Sequence, residues 1–442
     1  MKSRKQIRIS QCMIVKNEEA NIEKALSWGK GVVWEQIVVD TGSSDRTVEL
    51  AERMGANVYS FPWTDDFSAA KNFAVSKAKG EWIVFLDADE VFAPGDEKKL
   101  LTLLKQMEVQ NKEIEGIWTA LMNVDEKGKI FSSGSQIRVF RNLPGLRYHR
   151  RIHENLRWED GHAMRLGDAT KLLSILHTGY QEEALAKKRS SRRNQKLILK
   201  ELEEHPGDYE MMGYLGDDYM TRREYEEASE WFQKSIDAMP QVLDSHDLRS
   251  ALTFYSLMEI LASKDEEKRL DELYRQAVSL LPEEPDFDYV YGRWMVCKNR
   301  FPEGKRYLEQ ALKKLEQSGS YNRARNLGGN LAKAYEDLAW CCLMTGDANR
   351  AVELCAAVLR ADPGAMNALM ILLKAFRGTG QTPVVSPEQA AGVLEKLCDF
   401  TTLKGRYLIL RASRESGYVE MAQYMEMLFS PEETAELKKA GL

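Results

Sequence analysis

At 442 residues the chain is long enough for two domains, each able to bury its own core. A net charge of −6 argues against general nucleic-acid binding, and no apolar run approaches the ~20 residues that span a bilayer. No signal peptide precedes the first strand, and the six cysteines (Cys12, Cys297, Cys341, Cys342, Cys355, Cys398) lack CxxC spacing, which predicts reduced packing residues of a cytoplasmic protein.

Residues 9–15 (ISQCMIV) form a short apolar strand that closes on Lys16-Asn17-Glu18-Glu19. Ile37-Val38-Val39 is a second strand ending in Asp40, followed by the turn Thr41-Gly42-Ser43-Ser44-Asp45 and a helix from near Thr47. Val58-Tyr59-Ser60-Phe61 is a third, leading into Asp65-Asp66-Phe67-Ser68-Ala69-Ala70-Lys71-Asn72 and another helix. Trp82-Ile83-Val84-Phe85-Leu86 then runs straight into Asp87 and Asp89. Its continuous apolar character predicts a strand buried on both faces of a parallel sheet. The alternation of strands and helices predicts a doubly wound α/β sheet, whose carboxyl edge is where ligands bind.

Asp87 and Asp89 would sit at that edge. Their carboxylates are hard oxygen donors, suited to Mg²⁺ or Mn²⁺ held against a substrate pyrophosphate. A lone DxD is more often a solvated acidic turn; its neighbours reverse that preference and favour the site. Asp40 has an alternative as a helix N-cap or Asx-turn residue, although Asp45 is better placed for capping. No GxGxxG follows the first strand and no GxxxxGK[ST] is present, so neither a dinucleotide fold nor a P-loop is indicated.

Four of the six histidines fall between 149 and 177, in His149-Arg150-Arg151-Ile152-His153-Glu154 and Leu176-His177-Thr178-Gly179-Tyr180 among other places. Arg138, Arg141, Arg150 and Arg151 could meet a pyrophosphate or be solvated. From residue 181 strand signals vanish and helical periodicity continues almost to the end. Residues 187–200 (KKRSSRRNQKLILK) read as a solvated, basic linker helix. A 34-residue helix-turn-helix template then fits residues 209–240, with Leu215, Gly216, Tyr219, Ala228, Phe232 and Pro240 on its signature positions. A second copy ends at Pro282, a third carries Tyr291-Gly292, Gly304 and Leu308, and a fourth ends at Pro363. A weaker fifth precedes Leu397. Tyr214, Tyr219, Trp231 and Phe232 read as repeat core. The region resembles a tetratricopeptide array, which stacks into a curved solenoid whose concave face grips peptides or proteins. The same array could instead brace the catalytic domain or mediate a homodimer.

The ordered runs CMIVKNEEANIEKAL, IVVDTGSSDRTVELAERMGA and DDFSAAKNFAVSKAKGEWIVFLDADE resemble a family 2 glycosyltransferase of the GT-A fold over roughly residues 7–180. That resemblance implies a nucleotide-sugar donor, usually a UDP-sugar, a divalent metal (Mn²⁺ or Mg²⁺), and inversion at the anomeric carbon. It places Glu18 and Asp40 at the uridine, Asp87 near ribose and metal, and Asp89 as principal metal ligand. Lys71-Asn72 falls where the family has Arg-Asn near the donor, and lysine cannot make a bidentate phosphate contact. Similar enzymes carry a His-Glu pair and a later His-x-Gly-Tyr, which makes Glu154 or His153 the acceptor-side base and His177 a further metal ligand. The QxxRW motif of processive polysaccharide synthases is absent. The expected organisation is a GT-A domain over 1–180, a helical linker over 181–204 and a tetratricopeptide domain over 205–442. In domain order this is similar to the sublancin-type peptide S-glycosyltransferases, which implies a peptide or protein acceptor held by the repeats. A lipid-linked or surface-glycan acceptor, or an inactive transferase serving as a scaffold, are the alternatives.

Overall fold

A computed structural model describes residues 7–126, 128–178, 192–243, 247–318, 325–380 and 382–439. The chain divides into two compact units, Met1–Pro240 and Gln241–Leu442.

In the first unit β1 (Ile9–Val15), β2 (Glu35–Asp40), β3 (Asn57–Ser60) and β4 (Trp82–Phe85) run parallel. They alternate with α1 (Ile22–Ser27), α2 (Thr47–Arg53) and α3 (Phe67–Lys77). These are the strands and helices expected from the alternating pattern. Next come β5 (Glu90–Phe92), α4 (Asp96–Gln110), β6 (Gly116–Val124) and β7 (Ile130–Arg141). Then follow β8 (Leu146–His149), β9 (Asn155–Trp158), β10 (Leu166–Asp168) and β11 (Ser174–His177). The sheet order is β3-β2-β1-β4-β7-β6-β11-β5, with β10 on β6; β8 and β9 pair separately.

The sheet is mixed rather than wholly parallel. β7 runs antiparallel to both β4 and β6. The link between β6 and β7 is a tight turn in which Gly128 takes φ +75°, far too short for the crossover that parallel neighbours need.

β4 is the axis of the core, with Trp82, Ile83, Val84, Phe85 and Leu86 all at 0% exposure. Its side chains alternate between two faces. Trp82, Val84 and Leu86 pack with Ile9, Leu100 and Val139, while Ile83 and Phe85 pack with Cys12, Val39 and Phe140. Burial on both faces explains the unbroken apolar run.

Three helices complete the unit: α5 (Arg193–Glu204), α6 (Tyr209–Thr221) and α7 (Tyr225–Ala238). Leu197, Ile198, Leu202, Met211 and Leu215 share one apolar cluster with Ile152 of the α/β domain, flanked by Trp63 and Phe67. Each fully buried aliphatic side chain contributes about 1.5–3 kcal/mol. The expected boundary at 204/205 is therefore not where the compact units divide, and the described part of the basic segment is a packed helix rather than a solvated linker. Residues 187–191 lie outside the described residues. Where α6 meets α7, a Cβ on Gly216 would come within 2.5 Å of the Phe232 ring, so the close approach requires glycine.

The second unit is helical. It holds α8 (Leu248–Ser263), α9 (Glu267–Leu280), α10 (Pro285–Cys297), α11 (Phe301–Ser318) and the short α12 (Arg325–Gly329). α13 (Leu331–Met344), α14 (Ala348–Ala361), α15 (Met366–Arg377) and α16 (Pro387–Leu394) follow. The expected second, third and fourth repeats are the pairs α8/α9, α10/α11 and α13/α14, and the weaker fifth is α15 with the short α16. Beyond them lie α17 (Leu403–Ser416), α18 (Val419–Met427) and α19 (Pro431–Lys439), which the template did not separate. Cys12, Cys341, Cys342 and Cys355 are buried as expected, but Cys297 is exposed. Among the described residues no helix is long and apolar enough to cross a membrane.

Candidate active site

The carboxyl ends of the parallel strands open onto a cavity of about 710 Å³. β1 delivers Lys16 and Glu18 to it, β2 delivers Thr41, and β4 delivers Asp87 and Asp89. Lys71 enters from α3, Arg138 from β7 and His177 from β11. His153 and Glu154, from the loop between β8 and β9, line the same cavity.

Beneath the cavity the charges form one network. Lys71 is 3% exposed; its ammonium pairs with Glu154 and lies 3.7 Å from Asp87. The Phe85 and Tyr148 rings flank it, with centroids 5.2 and 5.3 Å away. Arg138 donates from Nη2 to Asp87 Oδ2 at 3.0 Å and to Glu90. Burial works to raise the pKa of Asp87, but the Lys71 and Arg138 cations overcome it and hold the carboxyl well below its usual range. Burial dominates at Glu90, whose pKa is pushed up despite Arg138. At Lys71 desolvation is outweighed by Asp87 and Glu154, so the ammonium is favoured.

His177 and Asp89 form a second cluster. His177 Nε2 lies 3.3 Å from Asp89 Oδ2, and Nδ1 lies 2.7 Å from Asn123 Oδ1. Burial disfavours the charged imidazole, yet the hydrogen bond and charge of Asp89 raise its pKa overall. An amide oxygen can only accept, so Nδ1 donates to Asn123, which leaves Nε2 as the nitrogen for a cation. Adjacent ligands of an octahedral Mg²⁺ with bonds near 2.1 Å stand about 3 Å apart, close to the separation here. Among the described residues no three His, Cys, Asp or Glu side chains converge as a complete metal cage. Asp89 and His177 are therefore the pair that would hold a cation here, and such a cation would need further ligands from outside these side chains. Asp87 is already engaged with two cations, which suits it less to the metal than Asp89.

On the opposite side, residues 149–154 follow an unusual path. Arg150 and His153 adopt φ +77° and +51°, left-handed values that cost about 1–3 kcal/mol each outside glycine. The loop is held by the neighbouring helices. Arg150 binds Asp208 and Glu210, Arg151 N donates to Glu201 at 2.9 Å, and Arg151 also pairs with Glu204. The His153 ring stacks on Tyr214 at 3.7 Å with 2° between planes.

Several sequence-predicted residues are placed differently from expectation. The nearly buried Asp40 carboxylate accepts from Gly42 N at 3.0 Å and from Ser43 N, an Asx turn, and it does not line the cavity. Asp45 accepts from Thr47 N at 3.0 Å in an Asx turn just ahead of α2; the N-cap position itself is Arg46, so Asp45 is not the cap expected of it. Asn72 does not line the cavity either; its amide makes both hydrogen bonds to the Tyr148 backbone, at 2.8 and 2.9 Å, and fixes β8 to α3. Glu18 lines the cavity and accepts from Asn21 at 2.8 Å. Each of the four arginines is paired with a carboxylate, and two of them, Arg138 and Arg150, also line the cavity. Tyr214 is a cavity wall rather than repeat core alone, as are Trp63, Phe67, Arg193 and Glu210. No local spacing marked these residues, because folding alone brings them to the site. Gly179 and Tyr180 lie outside the described residues.

Residues 10–112 match the family described as "Glycosyl transferase family 2". The chain is 31% identical over 237 residues to a TPR repeat-containing protein of Synechococcus elongatus, covering 52% of this chain and 56% of that protein. It is 26% identical over 242 residues to the SPbeta prophage-derived glycosyltransferase SunS of Bacillus subtilis, covering 54% and 56%. The chain thus spans about half the length of these relatives. Among solved structures, the TPR protein YrrB aligns at a TM-score of 0.35 with 20% identity, over 49% of this chain and 97% of that one. Glucosyl-3-phosphoglycerate synthase of Mycobacterium tuberculosis, solved with Mn²⁺ and UDP, aligns at 0.22 with 24% identity, over 28% and 45%. The strands that carry Asp87 and Asp89 fall within the stretch, residues 10–112, that matches the family 2 glycosyltransferases, and in this chain helical repeats similar to tetratricopeptide repeats follow it.

Proposed function

We propose that the protein transfers a sugar, with inversion, from a UDP-sugar to a peptide or protein acceptor held by its repeats, with Mn²⁺ or Mg²⁺ bound at Asp89 and His177. The observation that carries this is the meeting, in one cavity, of Asp87, Asp89 and His177 with His153 and Glu154. A cation there would neutralise charge on the departing diphosphate as a Lewis acid. The chain's own residues do the rest. Glu18 and Thr41 border the cavity that would take the uridine, and Asp87, fixed by Arg138, would meet the ribose. Glu154, oriented by Lys71, accepts the proton of an attacking hydroxyl; a thiolate would need no base. One bond forms between the anomeric carbon and the acceptor atom as the bond to the diphosphate oxygen breaks, and UDP leaves.

The repeat array and the similarity to glycosyltransferase SunS support a peptide acceptor. The test is a thermal-shift and donor-hydrolysis screen of UDP-, GDP- and dTDP-sugars, with and without Mn²⁺, on the wild type and Asp89→Ala. Metal-dependent stabilisation by a UDP-sugar, abolished in the variant, is the expected result. No response to any nucleotide would overturn the reading.

A further inference from the structure

We infer that the first helical repeat belongs to the acceptor side of the transferase, with Arg150 as the positioning residue that fixes His153 and Glu154 at the cavity. This rests on the reading of the cavity as a glycosyltransferase site.

The Arg150 guanidinium is a fork closed on α6. Nε and Nη2 donate to the two Asp208 oxygens at 2.9 and 3.0 Å, and Nη1 donates to Glu210. Its side chain is 10% exposed, so the contact is largely desolvated. A bidentate arginine–carboxylate pair sets direction as well as distance, which a lysine cannot reproduce. Asp208 also caps α6, accepting from Met211 N at 3.0 Å, so the fork is anchored on a rigid element. The backbone on either side is held too. Ser68 Oγ donates to Arg150 O at 2.5 Å, and Phe67 N donates to Arg151 O at 2.9 Å.

Arg150 and His153 both take left-handed backbone angles, and Glu154 follows directly. Such angles outside glycine persist only where the surroundings over-determine them. The surroundings here are α3, α5 and α6. Without the fork, the loop relaxes toward ordinary φ, the His153 ring leaves Tyr214, and Glu154 loses its place on Lys71. The sequence template assigns α6 and α7 to acceptor gripping; the structure uses the start of α6 to hold the loop that faces the acceptor.

The test uses the full chain with ¹³C-labelled histidine. Stacking on Tyr214 shifts the His153 ring signals upfield, and His153→Gln identifies them among the six histidines. In Arg150→Ala that shift disappears while the His177 signal and the affinity for UDP with Mn²⁺ stay at wild-type values. Hydrolysis of UDP-glucose, UDP-galactose and UDP-N-acetylglucosamine, where the wild type shows it, falls by about 100-fold, the scale of a catalytic group misplaced by an ångström. Arg150→Lys restores only part of the shift. If Arg150→Ala misfolds, the isosteric double variant Asp208→Asn/Glu210→Gln decides the same question. A His153 signal that keeps its upfield position in these variants overturns the inference, as does a loss of UDP affinity equal to the loss of hydrolysis. A wild type that binds no UDP with Mn²⁺ sinks the glycosyltransferase reading, while the histidine signal still reports on the fork.

Discussion

Lys71→Met tests the buried charge network directly. Methionine retains a long flexible chain between the Phe85 and Tyr148 rings and deletes only the ammonium. The Glu154 side chain is 15% exposed and loses its cation. Removing one partner of a buried pair costs about 3–5 kcal/mol, because the survivor is left uncompensated. Asp87 adds under ~1 kcal/mol: its side chain is 39% exposed, the Lys71 contact is 3.7 Å, and Arg138 remains. At about 2–4 °C per kcal/mol for a unit of this size, the melting temperature of the first unit should fall by roughly 6–24 °C. The double variant Lys71→Met/Glu154→Gln, which removes both charges of the pair, should recover most of that loss. Differential scanning calorimetry at pH 7 measures all three proteins. A single variant melting within about 2 °C of wild type, or a double variant no more stable than the single, would refute the claim that Lys71 holds Glu154 through charge.

Three further outcomes follow from neighbouring contacts. Asn123→Ala, which frees the His177 ring, should weaken Mn²⁺ affinity about 10–100-fold in the presence of UDP, measured by calorimetric titration. Gly216→Val drives side-chain carbons into the Phe232 ring and should cost about 1–3 kcal/mol in chemical denaturation; an unchanged midpoint would mean the two helices can separate freely. Glu115 is buried, yet hydrogen bonds from the Arg165 backbone and side chain and from Trp158 outweigh burial and lower its pKa. A lowered carboxylate pKa contributes stability above the ordinary glutamate range and loses it as pH falls through the folded-state value. The stability gap between wild type and Glu115→Gln should therefore be widest near pH 7 and narrow steadily as the solution is acidified below pH ~4. A gap that stays constant with pH would show that the charge on Glu115 contributes nothing.

The two sides of the cavity differ in how far the sequence discloses them, for a physical reason. The sheet edge is local. A strand buried on both faces must read as an unbroken apolar run, and the residues that follow must emerge at the sheet edge, so Asp87 and Asp89 are legible from nine consecutive letters. Gly216 opposite Phe232 is legible for a similar reason, since close helix approach tolerates only a small residue. Even there, position does not fix use. Asp40 and Asn72 lie where the donor was expected, but the backbone NH groups of a turn and of β8 claim their side chains.

The opposite wall, around residues 149–154, is assembled from pairs far apart in the chain. Arg150 meets Asp208 and Glu210 across 58 and 60 residues, and no spacing rule links a loop arginine to the cap of a repeat helix. Four arginines that looked available for a phosphate are each neutralised by a carboxylate from another element. At the cavity Lys71, Arg138 and Arg150 therefore reach any bound anion as members of ion pairs rather than as lone charges. The same pairings give the division of the chain a functional sense. A boundary drawn after residue 204 would strip the 149–154 loop of Asp208, Glu210 and Tyr214, whereas the boundary at Pro240 keeps every residue that holds it.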